Sequence, residues 1–502
     1  MGEENNNKTK KDQSSYRDIF KSTSIFGGVQ IWHILIGIVK QKLIAMLIGT
    51  TGMGISGLFT SSTQLIQSIS SMGLSSSAVK NVAEANASGD KTRVSRVVKT
   101  MRRLVWITGL IGMIIVIIMS PSLSKSAFGD TTYAIPFVFL SITLLLNQLS
   151  AGQNVLLQGM RKVKHLAKAG VYGSLVSLVV TVPIYYFFGL NGIVPTIIVN
   201  AVVMLFFSWL FSKKIQIEDV KLSLKESFFQ GKEMLSMGLF LTLNSMLGYG
   251  INYGVRIFIS NIGGVDEVGL YTAGTTLVST YTSMVFVAMA TDYYPKLAGV
   301  NQDNERCKQL INQQSEIATL LMAPLAIVFL VAAPWVIRIL YTSNFLPITV
   351  FIQLAMIGMI FKAGSWAISY VYLAKSDMKV FVFTEVFSKI IQLSLYLLLY
   401  WKFGLNGLGL AFVLNFIVYT AVVYLAARIK YSFRFSNDYL KMMLLCVPLF
   451  VIAFSFLFFM QNSYSYIPAG LIALIVCLYC IKGLNDRIGL TKALSKFLRR
   501  IK

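Results

Sequence analysis

Apolar stretches of about 17–25 residues recur along the chain from about residue 24 to about 481, and short charged segments separate them. A helix needs about 20 apolar residues to cross a hydrocarbon core about 30 Å thick. Each stretch therefore predicts a transmembrane helix. The expected spans, each good to a few residues, are about 24–49, 55–79, 103–124, 132–157, 168–188, 192–212, 233–262, 268–291, 312–340, 346–374, 379–401, 407–427, 440–460 and 466–481. This is an all-α integral membrane protein of about fourteen spans.

Composition agrees. Of 502 residues, 55% are hydrophobic and 13% charged, whereas soluble domains carry about 25% charged residues. The net charge of +24 would suggest nucleic acid in a soluble protein. Here the placement of the cations accounts for it. Alternate loops hold Lys91, Arg93, Arg96, Lys99, Arg102 and Arg103, then Arg161, Lys162 and Lys164, then Lys213, Lys214, Lys221 and Lys225. The same side continues with Lys296, Arg306 and Lys308, then Lys375 and Lys379, then Arg428, Lys430 and Arg434. The opposite loops hold only Lys125, Arg338 and Lys402. By the positive-inside rule the basic side is cytoplasmic, with both termini on it. No nucleic-acid partner is required.

The polar tail 1–23 lacks the apolar core of a cleavable signal. Cys307, Cys446, Cys477 and Cys480 read as inert thiols, because the last three lie in apolar runs. Segments 83–101 and 213–232 read as basic surface helices lying against anionic headgroups. Outer loops are short, which disfavours a membrane-embedded polymerase or glycosyltransferase. No nucleophile–base pair, metal cluster or phosphate loop is evident.

The chain repeats itself. Gly189-Leu190-Asn191-Gly192 returns as Gly404-Leu405-Asn406-Gly407, Asn200 as Asn415, and Gly57-Leu58-Phe59-Thr60 as Gly269-Leu270-Tyr271-Thr272. Lys42 lies seven residues before Gly49, and Arg256 seven before Gly263. Spans 1–6 thus match spans 7–12. They predict two pseudo-symmetric lobes around a central cavity, an N-lobe at 24–231 and a C-lobe at 232–434. Residues 435–502 add two spans and a basic tail. A closed two-lobe unit is expected to be a monomer.

Five cations fall inside spans: Lys40, Lys42, Arg256, Lys362 and Lys389. A charge at mid-bilayer costs about 2.5–3.5 kcal/mol on insertion scales, so each needs water, a partner or an anionic ligand. Lys42 and Arg256 are expected to be equivalent by the repeat, Lys362 to match Asn147, and Lys389 to pair with Glu385 one turn away. Snorkelling to headgroups is the plain alternative for Lys42 and Arg256. Spans 2 and 8 are rich in hydroxyls and amides, among them Gln64, Gln67, Thr276 and Thr280. They would line the cavity with Asn147, or pack helices closely. Asp292, Glu316 and Glu385 are the candidates for coupling to a proton or sodium gradient. His33 reads as a packing residue. A cationic, hydroxyl-rich centre suits a sugar- or phosphate-bearing anion.

The stretch 42–85, with Lys42, Gly49, Gly57 and Phe59 followed by a charged segment, resembles the first hairpin of the Wzx-type flippases. These form the polysaccharide-transporter branch of the multidrug/oligosaccharidyl-lipid/polysaccharide exporter superfamily. Thr50 and Met46 stand where the family often has Pro and Arg. The resemblance implies a transporter, not an enzyme, in a bacterial inner membrane. It implies that the protein flips an undecaprenyl-pyrophosphate-linked oligosaccharide, such as an O-antigen unit, by alternating access. The headgroup would sit among Lys40, Lys42, Arg256 and Lys362, with the polyprenyl tail in lipid. No cofactor is expected. Membrane lipids, and a polymerase or glycosyltransferases of the pathway, are the expected partners. A lipid II flippase or a multidrug extruder is the alternative, though a cationic drug would want acids that spans 1, 2 and 7 lack.

Overall fold

The computed structural model describes residues 2–460 and 462–488, apart from some side chains, including those of the first 31 residues, His33 and His33's neighbour Ile34. The basic C-terminal tail, and the side chains of the N-terminal tail and of His33, thus lie outside the described residues. Every regular element among the described residues is a helix, with no strand. Its helices are α1 (Gly2–Ser70), α2 (Leu74–Ala87), α3 (Lys91–Phe128), α4 (Ala134–Gly159), α5 (Val163–Phe188) and α6 (Ile193–Ser212). They continue as α7 (Leu224–Gly299), α8 (Asn304–Leu340), α9 (Thr349–Ala374), α10 (Met378–Tyr431), α11 (Asn437–Met460) and α12 (Tyr466–Ile488). Nine stretches, or ten with the bent α7, are long and apolar enough to cross a membrane. Four of these ten are broken near their middle, in α1, between α5 and α6, in α7 and in α10. Counting each as two gives about fourteen helices among the described residues.

The breaks repeat as the sequence does. Gly49 (φ 61°) breaks α1 and Gly264 (φ 84°) breaks α7; Gly189 (φ 52°) caps α5 and Gly404 (φ 56°) breaks α10. Glycine takes these left-handed values without the clash a Cβ would cause. Arg161 (φ 54°) and Ser376 (φ 55°) terminate α4 and α9 in the same turn, closed by Lys162 N–H to Leu157 O and Asp377 N–H to Tyr372 O, both 2.8 Å. Asp90 and Asp303 start α3 and α8 alike. Asp90 Oδ1 accepts from the backbone of Thr92 and Arg93, and Asp303 Oδ1 from that of Glu305 and Arg306. Such caps satisfy N–H groups that a helix start leaves unpaired.

The repeat breaks correct one expectation. The break falls at Gly264, not Gly263. Lys42 is therefore seven residues before its break and Arg256 eight before its own. One residue turns a side chain by about 100° around the axis, so the two cations are not equivalent positions.

The chain divides into two compact units, 1–257 and 258–502. The first half of α7 packs with the first unit. A Cβ on Gly238 would strike the backbone of Gly73, and one on Gly231 would strike the Leu104 side chain. Span 2 ends at Ser70, earlier than expected, because Met72 and Gly73 are left-handed and α2 begins anew. No surface helix covers 83–101. α2 stops at Ala87, Gly89 turns, and Asp90 starts α3, which carries its basic first turns straight into the span. Residues 216–223 are not helical. The basic residues of α3 hold them: Lys99 Nζ donates to Asp219 Oδ1 at 2.7 Å, and Arg103 donates to Leu222 O and Ser223 O, both at 2.8 Å.

Candidate functional site: cations inside the spans

In the first unit, α1 presents Lys40 to α5 and α6. Its Nζ donates to Ser177 Oγ at 2.8 Å, and Ser177 in turn donates to Asn200 Oδ1 at 2.5 Å. Thr181 Oγ1 reaches the same amide oxygen at 3.4 Å. The chain ends in neutral groups, so the ammonium is oriented but not neutralised. Lys42 and Arg256 are half-buried and each has an interaction partner.

In the second unit, Lys362 on α9 lies between two rings. Its Nζ is 5.3 Å from the Phe286 centroid and 5.5 Å from the Phe416 centroid. Ring faces attract a cation through the quadrupole, by about 0.5–2 kcal/mol. Like Lys40, Lys362 is held by groups that leave its charge in place. Close by in sequence to Phe416, the buried amide oxygen of Asn415 has no hydrogen-bond partner among the described residues. Its repeat partner Asn200 is satisfied by two hydroxyls.

Glu385 and Lys389 attract each other electrostatically, but each makes its hydrogen bond elsewhere. Glu385 Oε1 accepts from Tyr419 OH at 2.6 Å, and Lys389 donates to Gln392 Oε1 at 3.3 Å. A tyrosine reaching across from the second half of α10 outcompetes the neighbour on the same helix turn. The other proposed acids differ from Glu385. Asp292 is exposed and pairs with Lys296 at 2.6 Å. Glu316 joins three helices: it accepts from Ser436 Oγ at 2.6 Å and from Arg487 Nε at 2.8 Å, tying α8 to the start of α11 and the end of α12.

The polar lining divides into two sets. Ser61, Ser62 and Thr63 are buried and turn their hydroxyls onto Leu58 O and Phe59 O of their own helix. Thr276 does the same with Thr272 O at 2.7 Å. These hydroxyls pack helices rather than wet a cavity. Gln64 is exposed, while Gln67, Asn147 and Thr280 are half-buried.

Sequence reading missed the partners. Ser177, Phe286, Phe416 and Tyr419 carry no signal in a single chain, because Ser and aromatic residues are common in spans. Asn200 and Asn415 did carry one, as amides at matching places in the repeat. Glu267, which the sequence reading did not single out, accepts from Tyr400 OH at 2.6 Å.

A model of the polysaccharide biosynthesis protein family matches residues 43–350. The lipid III flippase of Escherichia coli (strain K12) is 21% identical over 366 residues, which cover 70% of this chain and 84% of that protein. The structure of the lipid II flippase MurJ in an inward closed conformation superposes with a TM-score of 0.67. It is 14% identical and covers 93% of this chain and 98% of its own. An inward-facing multidrug resistance MATE family transporter of the MOP superfamily gives a TM-score of 0.69 at 18% identity, over 79% of this chain and 94% of its own. At these identities the two structures establish a shared fold. All three proteins are named as flippases or transporters, in line with the expectation of a transporter rather than an enzyme.

Proposed function

The chain belongs to the polysaccharide biosynthesis protein family, and from that premise we propose that it flips an undecaprenyl-pyrophosphate-linked oligosaccharide, such as an O-antigen unit. In this reading it moves the lipid from the inner to the outer leaflet of a bacterial cytoplasmic membrane, with both termini on the cytoplasmic side. One observation carries the proposal: Lys40 and Lys362 sit inside spans on neutral supports, a hydroxyl in one case and two ring faces in the other. A half-buried cation inside a span whose described contacts are neutral is poised for an anion, and phosphate oxygens are strong acceptors for it. Lys42 and Arg256 are two further half-buried cations of the first unit. The sugar would be met by exposed and half-buried amides such as Gln64 and Gln67, and the polyprenyl chain would stay in lipid. Transport would proceed by alternating access. Glu385, held by Tyr419 OH, is kept as the candidate for coupling to a proton or sodium gradient. The protein is proposed to act as a monomer beside the polymerase or glycosyltransferases of its pathway.

Flipping in reconstituted vesicles tests this, with a labelled polyprenyl-pyrophosphate oligosaccharide inside and a glycan-modifying probe outside. Protein-dependent modification that is lost in a Lys40→Ala/Lys362→Ala variant is the expected result. Full flipping by that variant, correctly inserted, would refute a role for these two cations. Lipid II is the informative competitor, since it also bears pyrophosphate and the MurJ fold is shared. Preference for lipid II would reassign the substrate within the same mechanism.

A further inference from the structure

We propose that the base of α3 holds a phospholipid with an anionic phosphate headgroup, in a pocket unrelated to the transported substrate. The pocket has a volume of about 590 Å³ and is walled by α3 and the non-helical segment before α7. Lys99, Arg102 and Arg103 supply its positive charge, and Trp106 and Ile107 its apolar rim. Glu218 and Asp219 also line it, so the charge must be followed residue by residue. Asp219 is matched by Lys99 at 2.7 Å. Arg103 is spent on neutral oxygens, Leu222 O, Ser223 O and Ser227 Oγ, and stays cationic. Arg102 enters the pocket with neither a hydrogen bond nor an ion pair to a described residue. Just outside the pocket Glu226 lies in the field of both Arg96 and Arg103, so four cations (Arg96, Lys99, Arg102 and Arg103) meet three carboxylates (Glu218, Asp219 and Glu226) and the surroundings stay positive by one charge. A guanidinium fork suits phosphate oxygens.

The neighbouring surface selects a lipid over free phosphate. Positions 102, 106, 110, 114 and 118 follow one another at helical spacing, as do 103, 107, 111 and 118. Trp106 is 50% exposed, Ile107 44%, Ile114 51% and Ile118 73%. This is the stripe by which α3 meets hydrocarbon, and it runs into the pocket without an intervening polar residue. Tryptophan at that level marks the interface between headgroup and acyl chain. A phosphate at Arg102 would thus have its acyl chains aligned with Trp106 and the isoleucines above it. The headgroup would also brace the segment that Lys99 and Arg103 already hold.

Native mass spectrometry of the full chain, released from mixed micelles of phosphatidylglycerol and phosphatidylcholine, provides the test. The wild type should retain phosphatidylglycerol preferentially, and Arg102→Ala should lower its retention about tenfold, the effect of one charge-assisted hydrogen bond. Trp106→Ala should also lower it without altering charge. Lys80→Ala, at an exposed surface pair, should match the wild type. Equal retention of the two lipids, or no loss in Arg102→Ala, would overturn the proposal. So would displacement of the lipid by millimolar inorganic phosphate, or undiminished binding in Trp106→Ala, because either would make this a plain phosphate site.

Discussion

Lys362 illustrates how a membrane protein keeps a charge available. A carboxylate partner would stabilise the ammonium and also remove it from use. Two ring faces supply part of the lost hydration and leave the charge unbalanced. Lys362→Ala should therefore lower flipping by about tenfold or more while the protein still inserts, since a charged hydrogen bond to ligand contributes about 1.5–3 kcal/mol. Lys362→Arg should retain part of the activity; the vesicle assay measures both. Asp377 makes the opposite use of charge. It lies between α9 and α10, where Lys430 pairs with it and Tyr431 OH donates to it at 2.6 Å. Those bonds, from Lys430 first and then Tyr431, hold its carboxyl below the usual carboxylate range. A group depressed in the folded state stabilises above its unfolded pKa of about 3.9 and loses that contribution as pH falls through the folded value. Thermal melting followed downward from pH 6 should show a loss of stability below about pH 4 that Asp377→Asn diminishes.

At the level of elements, the caps and breaks were partly legible. Asp90 and Asp303 stand just before helical runs, and the glycines stand at repeat positions. What a linear reading could not tell was which of two adjacent glycines turns. Gly264 rather than Gly263 does so, and this removed the equivalence of Lys42 and Arg256. The segment 213–232 looked helical because its charges suit a surface helix; it is so from Leu224 on, but before that Lys99 and Arg103 claim its carbonyls from another helix. Glu316 is a further case. It was a coupling candidate by sequence, and its bonds are those of a clip between α8, α11 and α12. Glu316→Ala should loosen that clip by about 1.5–3 kcal/mol. Faster hydrogen exchange at the start of α11, with α1–α6 unchanged, is the expected readout.

For the whole molecule, the alternation of basic and nearly uncharged loops is a statement about sidedness. In a background with its four free cysteines replaced, Lys162→Cys should react with an impermeant maleimide only after the cells are opened. Lys402→Cys should react in intact cells. Labelling of both from outside would contradict the assigned orientation, whatever the substrate.

The sequence by itself determined the helical class, the approximate number of spans, the twofold repeat and the set of cations inside the spans. These follow from short-range quantities: apolar run length against bilayer thickness, loop charge, and identity between distant segments. Only the tertiary structure decided which partner each polar group takes. Glu385 could reach Lys389 on its own helix or Tyr419 across the hairpin; Ser61 could face water or its own backbone; Lys40 could seek headgroups or Ser177. Each choice turns on a difference of about 1 kcal/mol between competing hydrogen bonds, and on which helices lie alongside, a matter of packing between residues far apart in the chain.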